Sequence, residues 1–194
     1  MESIPMSETR QDPVLETAIL GGGCFWCLEA VFKDVEGVVT VVPGYCGGHL
    51  ELPDYRQVCA GGTGHAEVVR IEFDPARRSY RELLEIFFAI HDPTSVDRQG
   101  NDIGPQYRSV IFVTREEQLH TALALIEEMG EQRLFPKAIA TRVEPAPKFW
   151  MAEPEHHDYY AGNSDQPYCQ YVVAPKIAKF REHFAARRRG EHNR

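Results

Sequence analysis

The 194-residue chain has too little cysteine for a disulfide scaffold: five residues, an odd number that cannot pair off internally. Small domains held by bridges use a denser, even set, so these thiols are left to chemistry or to packing. Long apolar runs are missing as well. The longest, Leu83 to Ile90, is broken by Glu85 and falls far short of the ~20 residues a membrane helix needs. Met1 to Asp12 is polar and has no apolar stretch of signal-peptide type. Basic residues are the minority, 21 Lys+Arg against 29 Asp+Glu for a net charge of −8, which argues against a general nucleic-acid binder. Internal repeats are absent. What is present is a composition near the globular average, 43% hydrophobic and 26% charged. At roughly 150 residues per domain that makes one domain with its own core. A cytoplasmic protein with no membrane and no nucleic acid among its partners is the expectation.

The charge is unevenly placed: Lys176 to Arg194 holds seven basic and two acidic side chains. Residues 1–15 are expected to be a disordered leader, 16–186 the folded domain, and 187–194 a solvated basic tail.

Hydrophobic periodicity predicts strands over Glu16–Gly21, Val38–Tyr45, Ala66–Phe73, Ser109–Val113 and Ile139–Val143. Helices are predicted over Cys24–Asp34, after a Ser79/Glu82 capping box, after a Thr114/Glu117 box, and over Ala152–Tyr160 and Pro175–Ala185. Gly44–Asp54 and the roughly 17-residue His91–Tyr107 read as loops, the second long enough to suggest function. Adjacent strands flanked by helices give a single α+β domain.

The densest signal is Gly21-Gly22-Gly23-Cys24-Phe25-Trp26-Cys27. Glycines between a strand and a helix allow a sharp turn and leave helix N–H groups free. A thiol in the first helical turn should feel the positive end of the dipole and acidify. Cys27 falls on the same face as Cys24, and Phe25 and Trp26 add apolar surface beside it. The CxxC spacing also suits a thioredoxin-like redox pair, or half of a zinc site completed by Cys46 and His49 or by His156 and His157. No second CxxC exists to strengthen the zinc reading.

Strand alternation puts Glu67 on the apolar face with Val69, Ile71 and Phe73. Burial there would raise its pKa and make it a general acid. Tyr45, Tyr55, Tyr107 and Tyr168 are loop phenols that could donate to an oxygen gaining charge, and Asp102 suits an Asx turn.

Together, Gly23-Cys24-Phe25-Trp26, Gly44-Tyr45 with Gly47-Gly48, Tyr55-Arg56, Thr63-Gly64-His65-Ala66-Glu67, His91-Asp92-Pro93-Thr94, Gln99-Gly100-Asn101-Asp102 and Gln106-Tyr107-Arg108-Ser109 resemble the A-type peptide methionine sulfoxide reductases. The likeness runs from about Thr17 to Phe180. It implies a two-layer α/β sandwich with a mixed sheet, a ferredoxin-like core and long irregular loops. It also implies reduction of methionine-S-sulfoxide, peptide-bound and free, with no bound cofactor or metal. In that scheme Cys24 is the nucleophile, Glu67 the acid, and Tyr55 and Tyr107 the phenols on the sulfoxide oxygen. Phe25, Trp26 and Asp102 hold substrate. Oxygen transfer would leave Cys24 as sulfenic acid. Cys169, in Gln166-Pro167-Tyr168-Cys169, resembles the family's resolving cysteine, with Cys27 as the alternative, and thioredoxin (or dithiothreitol in vitro) would open the disulfide. Cys46 and Cys59 are expected to be packed thiols, and the protein a monomer.

Overall fold

A computed structural model describes residues 14–190. In chain order the elements are β1 (Glu16–Gly22), α1 (Phe25–Lys33), β2 (Val38–Cys46), α2 (Tyr55–Ala60), β3 (Ala66–Phe73), α3 (Tyr80–Ile90), β4 (Arg98–Gln99), β5 (Asp102–Ile103), β6 (Ser109–Val113), α4 (Glu116–Glu131), β7 (Arg142–Pro145), β8 (Trp150–Met151), α5 (Tyr159–Gly162) and α6 (Ala174–His183). The main sheet runs β7-β6-β1-β3-β2-β8, with β4 and β5 forming a separate hairpin. β1, β3, β2 and β6 pair antiparallel in the order β6-β1-β3-β2, and only β7 is parallel to its neighbour β6. With α1 and α3 as crossovers, this is the split βαββαβ arrangement of a ferredoxin-like core in a mixed sheet.

Alternation along the strands sorts the core into two parts. Leu20, Val69, Ile71, Phe73 and Ile111 face the helices and pack with Phe25, Leu28, Phe32, Phe87 and Phe180. Ile19, Ala66, Val68, Val110 and Phe112 face the other way, under a strap that carries Ala146 and Phe149. α3 is buried on nearly every side, through Leu83, Leu84, Ile86, Phe87, Phe88 and Ile90. Each such side chain contributes roughly 1.5–3 kcal/mol by leaving water. The Ser79/Glu82 capping box starts this helix as the spacing predicts.

Three local expectations change. The Thr114/Glu117 box does not form: Arg115 is the N-cap of α4, and the buried Gln118 reaches back instead, accepting from the Thr114 N–H and donating to the Thr17 carbonyl. The Gly44–Asp54 loop begins only after Cys46, where β2 ends, and Asp54 at its close makes a capping box with Gln57 that starts α2. The 152–160 region is a short 3-10 turn at Pro154–His156 followed by the four-residue α5, not one helix.

The chain's last basic segment divides. Arg187 to Arg189 are half-buried against the fold: the Arg189 N–H donates to the Asp34 carbonyl at 2.8 Å, Val35 and Arg188 form a β-bridge, and Arg187 pairs with Glu85 at 2.9 Å. Burial of Val35 and the acidic end of α1 supply what a tail in water would lack. The leader up to residue 13 and residues 191–194 lie outside the described residues. Among the described residues no helix is long and apolar enough to cross a membrane.

Candidate active site

The site is built where β1 ends and α1 begins. Gly23 adopts φ +97°, and a Cβ there would sit 2.6 Å from Cγ of Gln99. Gln99 is itself fixed, accepting from the Asp92 N–H at 3.0 Å and donating to the Asp92 carbonyl at 3.1 Å. The turn into the helix therefore needs glycine for conformation and for space. Cys24 follows as the N-cap of α1, 6% exposed.

β3 delivers Glu67 to the same point. It is 1% exposed, on the helix-facing side with Val69, Ile71 and Phe73. Its Oε2 accepts the backbone N–H of Phe25 at 3.1 Å. Burial pushes its pKa to about 8, despite that hydrogen bond, so the carboxyl is largely protonated at neutral pH and can donate. The turn feeding β3 is held by His65. Its Nδ1 accepts the Gly48 N–H at 3.0 Å and its Nε2–H donates to the Leu50 carbonyl at 2.7 Å.

The expected acidification of Cys24 does not occur. Burial, a hydrogen bond with Cys27 and the charge of Glu67 all push its pKa well above an ordinary thiol. The physical reason is that the first helical N–H is taken by Glu67, and water is excluded. Its partner moves oppositely: the hydrogen bond with Cys24 lowers the pKa of Cys27, assisted by the charge of Lys176.

Around these groups lies an aromatic wall. Phe25 is fully buried between Tyr45, Tyr55 and His156, with ring centroids 5.8, 6.2 and 5.5 Å away. Trp26 stacks on Tyr159 at 3.7 Å, meets Tyr168 edge-on at 5.8 Å, and donates from Nε1 to His156 Nδ1 at 3.3 Å. Burial, then the negative charge of Glu67, raises the pKa values of Tyr55 and Tyr107. Both phenols stay protonated donors. Asp102 makes no simple turn: it begins β5, and its Oδ2 accepts the Tyr168 hydroxyl at 2.7 Å. The Tyr168 hydroxyl also acts on Cys24, lowering its pKa against the larger effect of burial.

Thus the fold gathers Cys24, Cys27, Phe25, Trp26, Glu67, Tyr55, Tyr107 and Asp102. Cys169 packs in the same buried cluster as Cys24 and Cys27. It is fully buried in the turn Cys169–Val173, where burial and the charge of Cys27 raise its pKa, whereas the thiol that acts on Cys24 is Cys27. All five cysteines are free. Cys46 is buried, facing the Pro147 and Lys148 carbonyls at 3.8 and 3.7 Å. Cys59 is only partly buried and meets the Tyr55 and Tyr107 hydroxyls, which its place beyond the predicted loop did not suggest. Glu153 and Tyr159 also line the site; only the tertiary fold brings them there. Among the described residues no group of three or more His, Cys, Asp or Glu side chains is arranged to hold a metal ion. A cleft of about 400 Å³, lined by Asp54, Tyr55, Arg56, Glu153, Glu155 and His156, opens beside the wall. A larger one, about 520 Å³, lies along the far half of α1, lined by Glu29, Lys33 and Arg181 among others, away from the thiols.

Comparison with known proteins places this geometry. The family model described as peptide methionine sulfoxide reductase matches residues 16–188. The peptide methionine sulfoxide reductase MsrA of Ralstonia nicotianae is 56% identical over 191 residues, covering 96% of this chain and 98% of that protein. Its namesake in Chromobacterium violaceum is 54% identical over 171 residues, covering 88% and 97%. Among solved structures, reduced Mxr1 of Saccharomyces cerevisiae superposes with a TM-score of 0.73 at 33% identity, over 80% of this chain and 89% of that one. Methionine sulfoxide reductase A of Corynebacterium diphtheriae gives 0.68 at 34%, over 79% and 77%.

Proposed function

The chain belongs to the peptide methionine sulfoxide reductase family, and from that we propose how its own residues reduce methionine sulfoxide. The observation that carries the reading is the convergence of a buried thiol, Cys24, and a buried, proton-bearing carboxyl, Glu67, which accepts the N–H of the next residue, Phe25, inside a wall of aromatic rings and phenols. A sulfoxide oxygen is a strong acceptor. Set against Glu67, Tyr55 and Tyr107, it receives hydrogen bonds that grow stronger as it gains charge. Phe25 and Trp26 offer the apolar surface for the S-methyl group.

Cys24 sulfur attacks the sulfoxide sulfur while Glu67 gives its proton to the oxygen. The thiol proton of Cys24 restores the balance at Glu67. The hydroxyl then passes from the substrate sulfur to the Cys24 sulfur as the transient S–S bond breaks, which leaves Cys24 as sulfenic acid and releases the thioether, methionine. Cys27, whose pKa is lowered and which touches Cys24, then attacks the sulfenic sulfur. Water departs and a Cys24–Cys27 disulfide forms. Cys27 stands in the first turn of the helix that Cys24 caps, and for that reason it is preferred here as the resolving thiol, with Cys169 as the alternative. An external dithiol reduces the disulfide by exchange. A thioredoxin-type protein fits that role, and Mxr1 of S. cerevisiae has been solved in complex with Trx2. The S epimer is the proposed substrate, peptide-bound or free.

The test supplies racemic methionine sulfoxide with excess dithiothreitol. Turnover should stop at half conversion and vanish in Cys24→Ser; turnover by that variant would remove the nucleophile from the scheme. Without reductant, one equivalent of sulfoxide should yield a Cys24–Cys27 linked peptide. A Cys24–Cys169 peptide would instead assign the resolving step to Cys169.

A further inference from the structure

Tyr55 is the first residue of α2, a helix of six residues with a single buried side chain, Val58. So short a helix has little packing to fix it and cannot stand by propensity. Its orphan N-terminal N–H groups are therefore important holds. Asp54 takes the N–H of Gln57 at 2.8 Å, which leaves those of Tyr55 and Arg56. Glu153, 98 positions away, takes the first: Oε1 lies 2.7 Å from the Tyr55 nitrogen. The other oxygen, Oε2, accepts the hydroxyl of the fully buried Tyr45 at 2.8 Å.

Glu153 is itself on firm ground. The preceding Ala152 is buried and its N–H donates to the Pro43 carbonyl at 3.0 Å, which continues the pairing of β8 with β2. Three residues on, His156 sits 4.2 Å from the Tyr55 ring, centroid to centroid. The carboxylate thus links the rigid edge of the sheet to a short helix that carries one of the phenols.

We propose that Glu153 is a positioning residue for the reaction: by holding the Tyr55 amide and the Tyr45 hydroxyl at once, it sets the Tyr55 phenol against the sulfoxide oxygen. This rests on the role given to Tyr55 under the proposed function. Two charge-assisted hydrogen bonds define the carboxylate's place more tightly than apolar packing would. A phenol that has drifted by about 1 Å no longer meets the developing charge, a displacement that can cost on the order of 100-fold in rate.

The experiment is a double-mutant cycle with racemic methionine sulfoxide and excess dithiothreitol, with thermal unfolding measured alongside. Glu153→Ala should lower kcat and kcat/KM together, by about 10- to 100-fold, the sign of an interaction made in the transition state. Glu153→Gln keeps an acceptor for the Tyr55 amide and should stay within about threefold of the parent. In a Tyr55→Phe background, Glu153→Ala should cost less than about threefold more, because the hydroxyl it positions is gone. The shift in Tm should be the same in both backgrounds. An equal fold-loss in both backgrounds, or Glu153→Gln as poor as Glu153→Ala, would overturn the inference. Failure of the unsubstituted protein to turn over the sulfoxide would instead overturn the proposed function.

Discussion

The backbone N–H of Phe25 lies 3.1 Å from Oε2 of Glu67, a residue 42 positions further along the chain. The positive end of α1 is thereby committed to the acid and not to the thiol beside it. Two opposite pressures meet at Glu67: burial, which would keep the carboxyl neutral, and the amide, which favours its anion. A carboxyl poised between the two can hand over a proton and then be held as an anion while the oxygen leaves.

Because Glu67 titrates near pH 8, kcat/KM for methionine sulfoxide should fall as pH rises through about 8. Glu67→Gln should lose this descending limb and retain part of the rate through its amide donor, whereas Glu67→Ala should lose about 100-fold or more. A rate that keeps climbing from pH 8 to 9 in the parent enzyme would mean that ionisation of Cys24 governs instead.

The same group should make stability depend on pH. Its pKa rises from an ordinary 4.5 to about 8 on folding. Between those values the folded chain keeps a proton that the unfolded chain has lost, so Glu67 costs progressively more stability as pH increases, in full above about 8. The Tm of Glu67→Gln relative to the parent should therefore grow between pH 5 and pH 8. A constant difference across that range would contradict the raised pKa.

Gly23→Ala should destabilise the protein by about 1–3 kcal/mol and impair turnover, since φ is +97° and Gln99 fills the space. Adding Gln99→Ala should remove the Cγ contact but leave the 2.9 Å approach of the residue-99 Cβ and the conformational cost, so recovery should be partial. Denaturant unfolding of both variants would show full recovery only if the Cγ contact were the whole effect.

Ser79→Ala should lower stability by about 1 kcal/mol through loss of the N-cap of α3, with sulfoxide turnover unchanged. Any comparable loss of activity would mean that α3 does more than support the sheet.

Much of the site was legible from residue order. The period-2 pattern of β3 put Glu67 on the apolar face, because alternation and burial are local properties of a strand. Glycines between a strand and an aromatic-flanked cysteine marked the helix start for a similar reason. α2 carries a local signal, the capping-box spacing of Asp54 and Gln57, but the surrounding glycine-rich run hid so short a helix.

What the chain order did not contain were the contacts between distant segments. The direction of the Cys24 shift depended on which group took the first amide of α1 and on how much water remained, and both are set by β3 packing across that turn. The proposed preference for Cys27 over Cys169 rests on its place in the first turn of the helix that Cys24 caps. Glu153 acquired its meaning only when the sheet edge met α2. Motif and periodicity, being local, were enough to point to the family and to most residues of the candidate site. Protonation states and the groups that hold a side chain in place arise from desolvation and from long-range hydrogen bonds, and those exist only once the chain has closed on itself.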